Sequence, residues 1–180
     1  MLKSNKDKRK IVGNYIRFYR KQNNISAKKL ARQLNMGIAT YYQVEQGKSG
    51  RVADKAYFIH LYAQALGQES STKFLQQLNC LRSGEIVNWK GFRIKSIGSF
   101  LNELRRAKCL SREQLAEEVH VSKFQVSFEE NEYHRSIVGS ALEIIYRWSD
   151  LLGAETDTFP VQIVNVFSME GLFDGRNNGL

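Results

Sequence analysis

The sequence predicts an all-α chain in which one small helical unit is used twice, and three observations point there. Laid against itself at an offset of 85, "SAKKLARQLNMGIATYYQVEQ" (26–46) matches "SREQLAEEVHVSKFQVSFEEN" (111–131), pairing Ser26 with Ser111, Leu30 with Leu115, Ala31 with Ala116 and Glu45 with Glu130. The match continues upstream through Gly13 with Gly98, Arg20 with Arg105 and Lys21 with Arg106; downstream, "ALG" ending at Gly67 returns as "LLG" ending at Gly153. Second, a serine of N-cap type in each copy precedes apolar residues at helical spacing: Leu30, Ala31 and Leu34, then Leu115, Ala116 and Val119. Third, 180 residues with 42% hydrophobic content suffice for one medium domain or two small ones with packed cores.

In chain order, residues 1–10 are a basic arm whose "NKDKRK" either follows a polyanion backbone or is a solubilising tail. Residues 11–82 form the first unit. It holds a helix over 12–22, a second from Ser26, a tight turn at 35–37 plugged by Met36, a third helix after Gly37 and a fourth over 53–66. Phe74, Leu75, Leu78 and Leu81 suggest a fifth. Residues 83–95, which contain "SGEIVNWKGFR", read as a linker. The second unit, 96–153, repeats the pattern: helices over 97–107, from Ser111, after Ser122 and over 137–152, with Val121 in the tight turn. In the tail, 154–180, "FPVQIVNVFS" (159–168) is β-branched and aromatic around a proline and predicts a strand. A lone strand needs an edge to pair with. The same strand of another subunit would supply it, with Val161, Ile163, Val164, Val166 and Phe167 building the oligomer and "MEGLF" (169–173) packing alongside.

The formal net charge of +9 is spread unevenly: residues 1–67 hold 14 basic and 3 acidic side chains, residues 68–180 hold 13 and 15. An excess so lopsided marks the first third for a polyanion. No run of 18 uncharged apolar residues suggests a membrane span, and the N-terminal charges have no apolar region behind them, so the expected compartment is the cytoplasm. Cys80 and Cys109 lack CxxC partners and His60, His120 and His134 are scattered, so no disulfide framework, metal or cofactor is expected. HExxH, GxSxG and the phosphate-binding loop are absent, which argues against an enzyme.

The strings "G-x-x-I-R-x-x-R" (13–20), "S-x-x-x-L-A-x-x-L" (26–34) and "Y-x-x-V-E-x-G-K" (41–48) together resemble the Cro/repressor-type, or xenobiotic response element (XRE), helix-turn-helix. The second copy is similar but degraded, with Glu129 where the family has an aliphatic residue and Glu132 where it has the glycine. The resemblance implies two tandem lambda-repressor-like helix-turn-helix domains followed by a short strand-containing oligomerisation tail. It implies structural ion pairs, Arg20 with Glu45 and Arg105 with Glu130, that tie the first helix to the end of the reading helix, making Glu45 a peg and not a catalytic acid.

The same resemblance implies that the second helix of the motif enters the major groove of double-stranded DNA. Ile38, Ala39, Thr40, Tyr42 and Gln43 would contact it, Gln43 bonding adenine at two atoms and Ile38 and Ala39 touching thymine methyls, while Tyr41 takes the core position. Ser26 with its helix N-terminus, Lys28, Gln46, Lys48 and Arg51 would meet phosphates. Ala27 stands where the family often has a glutamine, which removes one such contact. In the second unit Lys123, Phe124, Ser127 and Phe128 would read a second element, with Arg112 at a phosphate, or the unit binds protein through exposed aromatics. The expected function is a dimeric or tetrameric transcription regulator, a repressor at the bacterial nucleoid, relieved by an anti-repressor protein or peptide. Its layout is similar to that of regulators carried by conjugative plasmids or prophages. The alternative is an interaction module such as an antitoxin-like partner protein.

Overall fold

Among the residues that the computed structural model describes, 5–132, 136–155 and 157–168, the chain forms ten helices and one β-hairpin, so it is mostly helical and not all-α. The first half runs α1 (Asn5–Gln22), α2 (Ala27–Gln33), α3 (Ile38–Glu45), α4 (Ala53–Ala65) and α5 (Ser71–Arg82). The antiparallel pair β1 (Val87–Trp89) and β2 (Phe92–Ile94) follows, then α6 (Ile97–Ala107), α7 (Arg112–Glu118), α8 (Lys123–Glu130), α9 (Ile137–Leu152) and α10 (Thr158–Ser168).

The repeat extends to local geometry. Ser26 caps α2 by accepting from Lys29 N at 3.1 Å, and Ser111 caps α7 from Gln114 N at 3.1 Å, where the Gln114 side chain reciprocates in a capping box. Asn35 and His120, 85 apart, both turn the chain through left-handed backbone at φ 53° and 56°. A Cβ on Gly13 would lie 2.8 Å from the Glu45 carbonyl carbon, and one on Gly98 would lie 2.8 Å from that of Glu130. Only glycine lets α1 approach the end of α3, and α6 the end of α8, this closely.

Three expectations are corrected. The first helix begins at Asn5, so residues 5–10 of the expected arm are its opening turns; residues 1–4 lie outside the described residues. The linker carries the hairpin, with Val87 opposite Ile94 and Trp89 opposite Phe92. Its turn residues Lys90 and Gly91 have φ 47° and 85°, the double positive value that two-residue hairpin turns of the primed type need. Finally, residues 159–168 belong to helix α10, and there is no C-terminal strand among the described residues. Pro160 falls in the first turn, where a missing N–H breaks no helical bond. Phe159, Ile163, Val164, Val166 and Phe167 recur at helical spacing and are buried, with Val161 half-buried beside them. They face α1, α4, α5 and α9 of their own chain, so the strand that was to pair between subunits is instead part of the core. Tyr19 Oη donates to Gln162 Oε1 at 2.9 Å and its ring meets Phe159 edge-on at 6.0 Å. The expected packing of 169–173 lies outside the described residues.

One apolar core runs through both units. Trp148 of α9 stacks on Tyr41 of α3 at 6.1 Å with 7° between the rings, and Phe74 stacks on Phe100 at 6.1 Å. Polar stitches cross the same boundary: Asn23 Nδ2 donates to Leu152 O at 2.9 Å, and Arg147 donates to Gln33 O, at the C-terminus of α2, at 3.1 Å. No described helix is long and apolar enough to cross a membrane.

Candidate nucleic-acid interface

The geometry of the first unit is set from the inside by Glu45. Its side chain is nearly buried, and Oε1 accepts from Arg20 Nε at 2.6 Å and from Tyr41 Oη at 2.7 Å. Arg20 also donates to Ile25 O at 3.0 Å, which ties α1 to the loop before α2. Burial first and the bond to Glu45 second push the Tyr41 phenol well above its ordinary pKa, so the hydroxyl remains a donor. The hydrogen bond from Arg20 to Glu45 likewise raises the guanidinium's pKa. Tyr41 is fully buried and its ring rests on Trp148, so α3 is seated on the second unit from behind.

With Tyr41 and Val44 turned inward, the helical repeat places Tyr42 and Gln43, and the first turn of α3, outward. Ile38 is 41% exposed, Tyr42 is 46% exposed, Ala39 and Gln43 are exposed, and Thr40 is half-buried. Ser26, Lys28, Gln46, Lys48 and Arg51 are exposed as well, so the candidate residues of the first unit are brought to the surface on α3 and the segments flanking it. The Ser26 hydroxyl is engaged in its cap, which leaves the first amides of α2 as the group it could offer a phosphate. Gly47, at φ 68°, packs on the α1 backbone: a Cβ there would lie 2.6 Å from Lys10 N. The loop bearing Gln46 and Lys48 is therefore held against α1, and Lys48 N and Ser49 N both donate to Gln43 O.

Charge on this side is little compensated. Of the three acidic residues in 1–67, Glu45 is consumed by Arg20 and Asp54 is held by Arg9 at 2.9 and 3.0 Å. A shallow depression between α2 and α3 is lined by Lys28, Arg32, Asn35 and Ile38 among others. Arg32 was not singled out in the sequence, although its position four residues after Lys28 on one helix face was a usable signal.

The second unit is arranged differently. Glu130 accepts from Arg105 Nε at 2.5 Å and from Arg112 Nε at 2.8 Å, so Arg112 is drawn to the peg and not left open at the helix start. Lys123 is ion-paired with Glu113, and this bond lowers the Glu113 carboxyl's pKa. Phe124 stands 73% exposed, while Ser127 and Phe128 are half-buried. Glu129, 1% exposed, caps α9 by accepting from Val138 N at 3.0 Å and from Ile137 N and Ser136 Oγ. Glu132 accepts from Gly98 N at 2.8 Å at the start of α6. In the sequence these two carboxylates are only departures from the family pattern; their partners are the starts of helices that the fold brings near.

Among the described residues, no group of three His, Cys, Asp or Glu side chains could hold a metal. His60 is buried in the core with Nδ1 3.0 Å from Ser71 Oγ; burial chiefly, and Lys8 secondarily, lower its pKa to about 4. No family model, curated protein or solved structure matches the chain.

Proposed function

We propose that the protein is a sequence-specific, double-stranded DNA-binding transcription regulator, a repressor built from two tandem lambda-repressor-like helix-turn-helix domains of the Cro/repressor type. The observation that carries the reading is the split of α3. Tyr41, Val44 and Glu45 are locked into the core while Ile38, Ala39, Tyr42 and Gln43 face solvent from a unit with 14 basic and 3 acidic residues. A rigid helix with adaptable polar and apolar groups on its outer face, flanked by exposed cations, suits base edges in a major groove and the phosphates beside it. No catalytic chemistry is assigned to it.

The second unit favours another role. Arg112 and Lys123 are paired within the chain and Phe124 is exposed, which suits a protein contact better than a polyanion: another copy of the chain in a dimer or tetramer, or an anti-repressor protein or peptide. The tail residues expected to build an oligomer are buried within their own chain, so the exposed Phe124 is the better candidate for such a contact.

Selecting bound duplexes from a random pool identifies the operator, and its half-site spacing reports the oligomer. On that fragment Gln43→Ala with Lys48→Ala weakens binding at least tenfold and relaxes selectivity, since a bidentate amide contact is worth ~1–3 kcal/mol. Lys123→Ala with Ser127→Ala leaves the footprint unchanged. Parent-like affinity and selectivity in the first variant would refute the reading, and a salt-independent affinity would favour the antitoxin-like alternative.

A further inference from the structure

We propose that the hairpin between the two units is a second contact for duplex DNA, gripping backbone phosphates on one flank of the site read by α3. The inference rests on the DNA-binding reading of the first unit.

Charge distinguishes this segment from its surroundings. Residues 86–96 contain Lys90, Arg93 and Lys95 and no acidic residue, whereas the rest of 68–180 holds 10 basic and 15 acidic side chains. All three cations are exposed, and none takes part in an ion pair among the described residues. Lys90 and Trp89 line one cleft with Lys73 of α5 and Lys108 at the end of α6, against a single carboxylate there, Glu69. The positive charge of the hairpin thus continues into the body of the protein.

The apolar groups fit the same ligand. Phe92 is 58% exposed beside Arg93, and Lys90 Nζ lies 5.0 Å over the Trp89 ring. Aromatic rings interleaved with unpaired cations suit a nucleic-acid backbone with its sugars, whereas an apolar protein partner would have to desolvate the cations without return. A two-stranded ribbon is also narrow enough to follow a groove.

The test uses the full chain and its selected operator. Lys90→Asn, chosen because asparagine tolerates left-handed backbone, is combined with Arg93→Gln, and affinity is measured from about 50 to about 200 mM salt. The slope of log affinity against log salt should fall by about 2, at roughly 0.9 per lost phosphate contact, with a footprint shortened on one flank and the preferred sequence unchanged. Phe92→Ala should weaken binding without changing the slope. If the double variant keeps the parent's slope and footprint, the hairpin inference is wrong while the α3 reading stands. A parent that binds no duplex sinks both. The double variant should also keep the parent's thermal midpoint; if it does not, Lys73→Gln with Lys108→Gln must show the same slope loss, or the inference falls.

Discussion

In the first unit Glu45 holds one guanidinium, Arg20, and one phenol, Tyr41; in the second, Glu130 holds two guanidiniums, Arg105 and Arg112. At the 85-residue offset Val126 stands for Tyr41 and Arg112 for Ala27, so the donor lost from one helix returns from another. The peg is kept and its second partner has moved. Next to it, Val44 is replaced by Glu129 and Gly47 by Glu132, and both acids serve helix starts. What the comparison teaches is that the skeleton tolerates two uses of charge. One unit leaves its cations exposed around α3, and the other ties them into its frame.

The largest expected effect probes the pegs. Removing one member of a buried ion pair costs ~3–5 kcal/mol, because the other charge is left buried and unpaired. Glu130→Ala strands Arg105 and releases Arg112, whose side chain is 37% exposed and regains water, so its loss should exceed that of Glu45→Ala only by the modest worth of a part-exposed pair. Glu45→Ala strands one guanidinium and a phenol and should sit at the lower end. Urea unfolding of both variants gives the difference, and equal losses would mean that Arg112 contributes nothing to the second peg.

A somewhat smaller effect separates the units by pH. His60 lies on α4, and the aligned stretch of α9 carries Ile145 and Tyr146. With a folded pKa of about 4, below the ordinary histidine value, the imidazole is neutral in the native chain at a pH where the unfolded chain takes up a proton. This contribution is therefore full above about pH 6.5 and is lost as pH falls toward about 4, by up to ~3 kcal/mol. Stability measured at intervals across that window should decline in the parent and decline less in His60→Gln. Parallel curves would show that another group governs the acid response.

What the sequence disclosed was local or repeated. Ser26, Ser111 and Ser122 mark helix starts because a cap needs only the next three residues, and Arg20 with Glu45 stood out because the pair recurs. The outward placing of Ile38, Tyr42 and Gln43, and the inward placing of Tyr41, came from the resemblance of the 41–48 string to the helix-turn-helix family, and the exposures agree with it. The tail was misread because β-branched residues around Pro160 suit a strand by composition, whereas the cleft formed by α1, α4, α5 and α9 accepts an apolar helix face. The spacing of Phe159, Ile163 and Phe167, four residues apart, carried the helical answer. The hairpin was hidden by its three-residue strands, too short to show alternation.

The smallest effect concerns Glu129, and its sign is the informative part. Restoring the aliphatic residue of the first unit, Glu129→Val, removes a buried charge, which by itself is stabilising. It also withdraws the acceptor from Ile137 N and Val138 N, two amides that open α9 and have no intrahelical partner. A lost cap costs ~0.5–2 kcal/mol, and buried donors left unsatisfied raise that figure. Ser136 still caps Gly139 N at 3.0 Å, so α9 keeps one anchor. In the first unit α4 starts at Ala53 after Val52, which offers no side-chain cap, and yet forms, because its burial suffices. The net loss for Glu129→Val should be about 1 kcal/mol, read as a lowered urea midpoint at unchanged slope. A gain in stability would mean that the second unit retains Glu129 for a purpose other than holding α9, and its half-buried hydrogen-bond partners, Gln125 and Ser136, would then be the place to look.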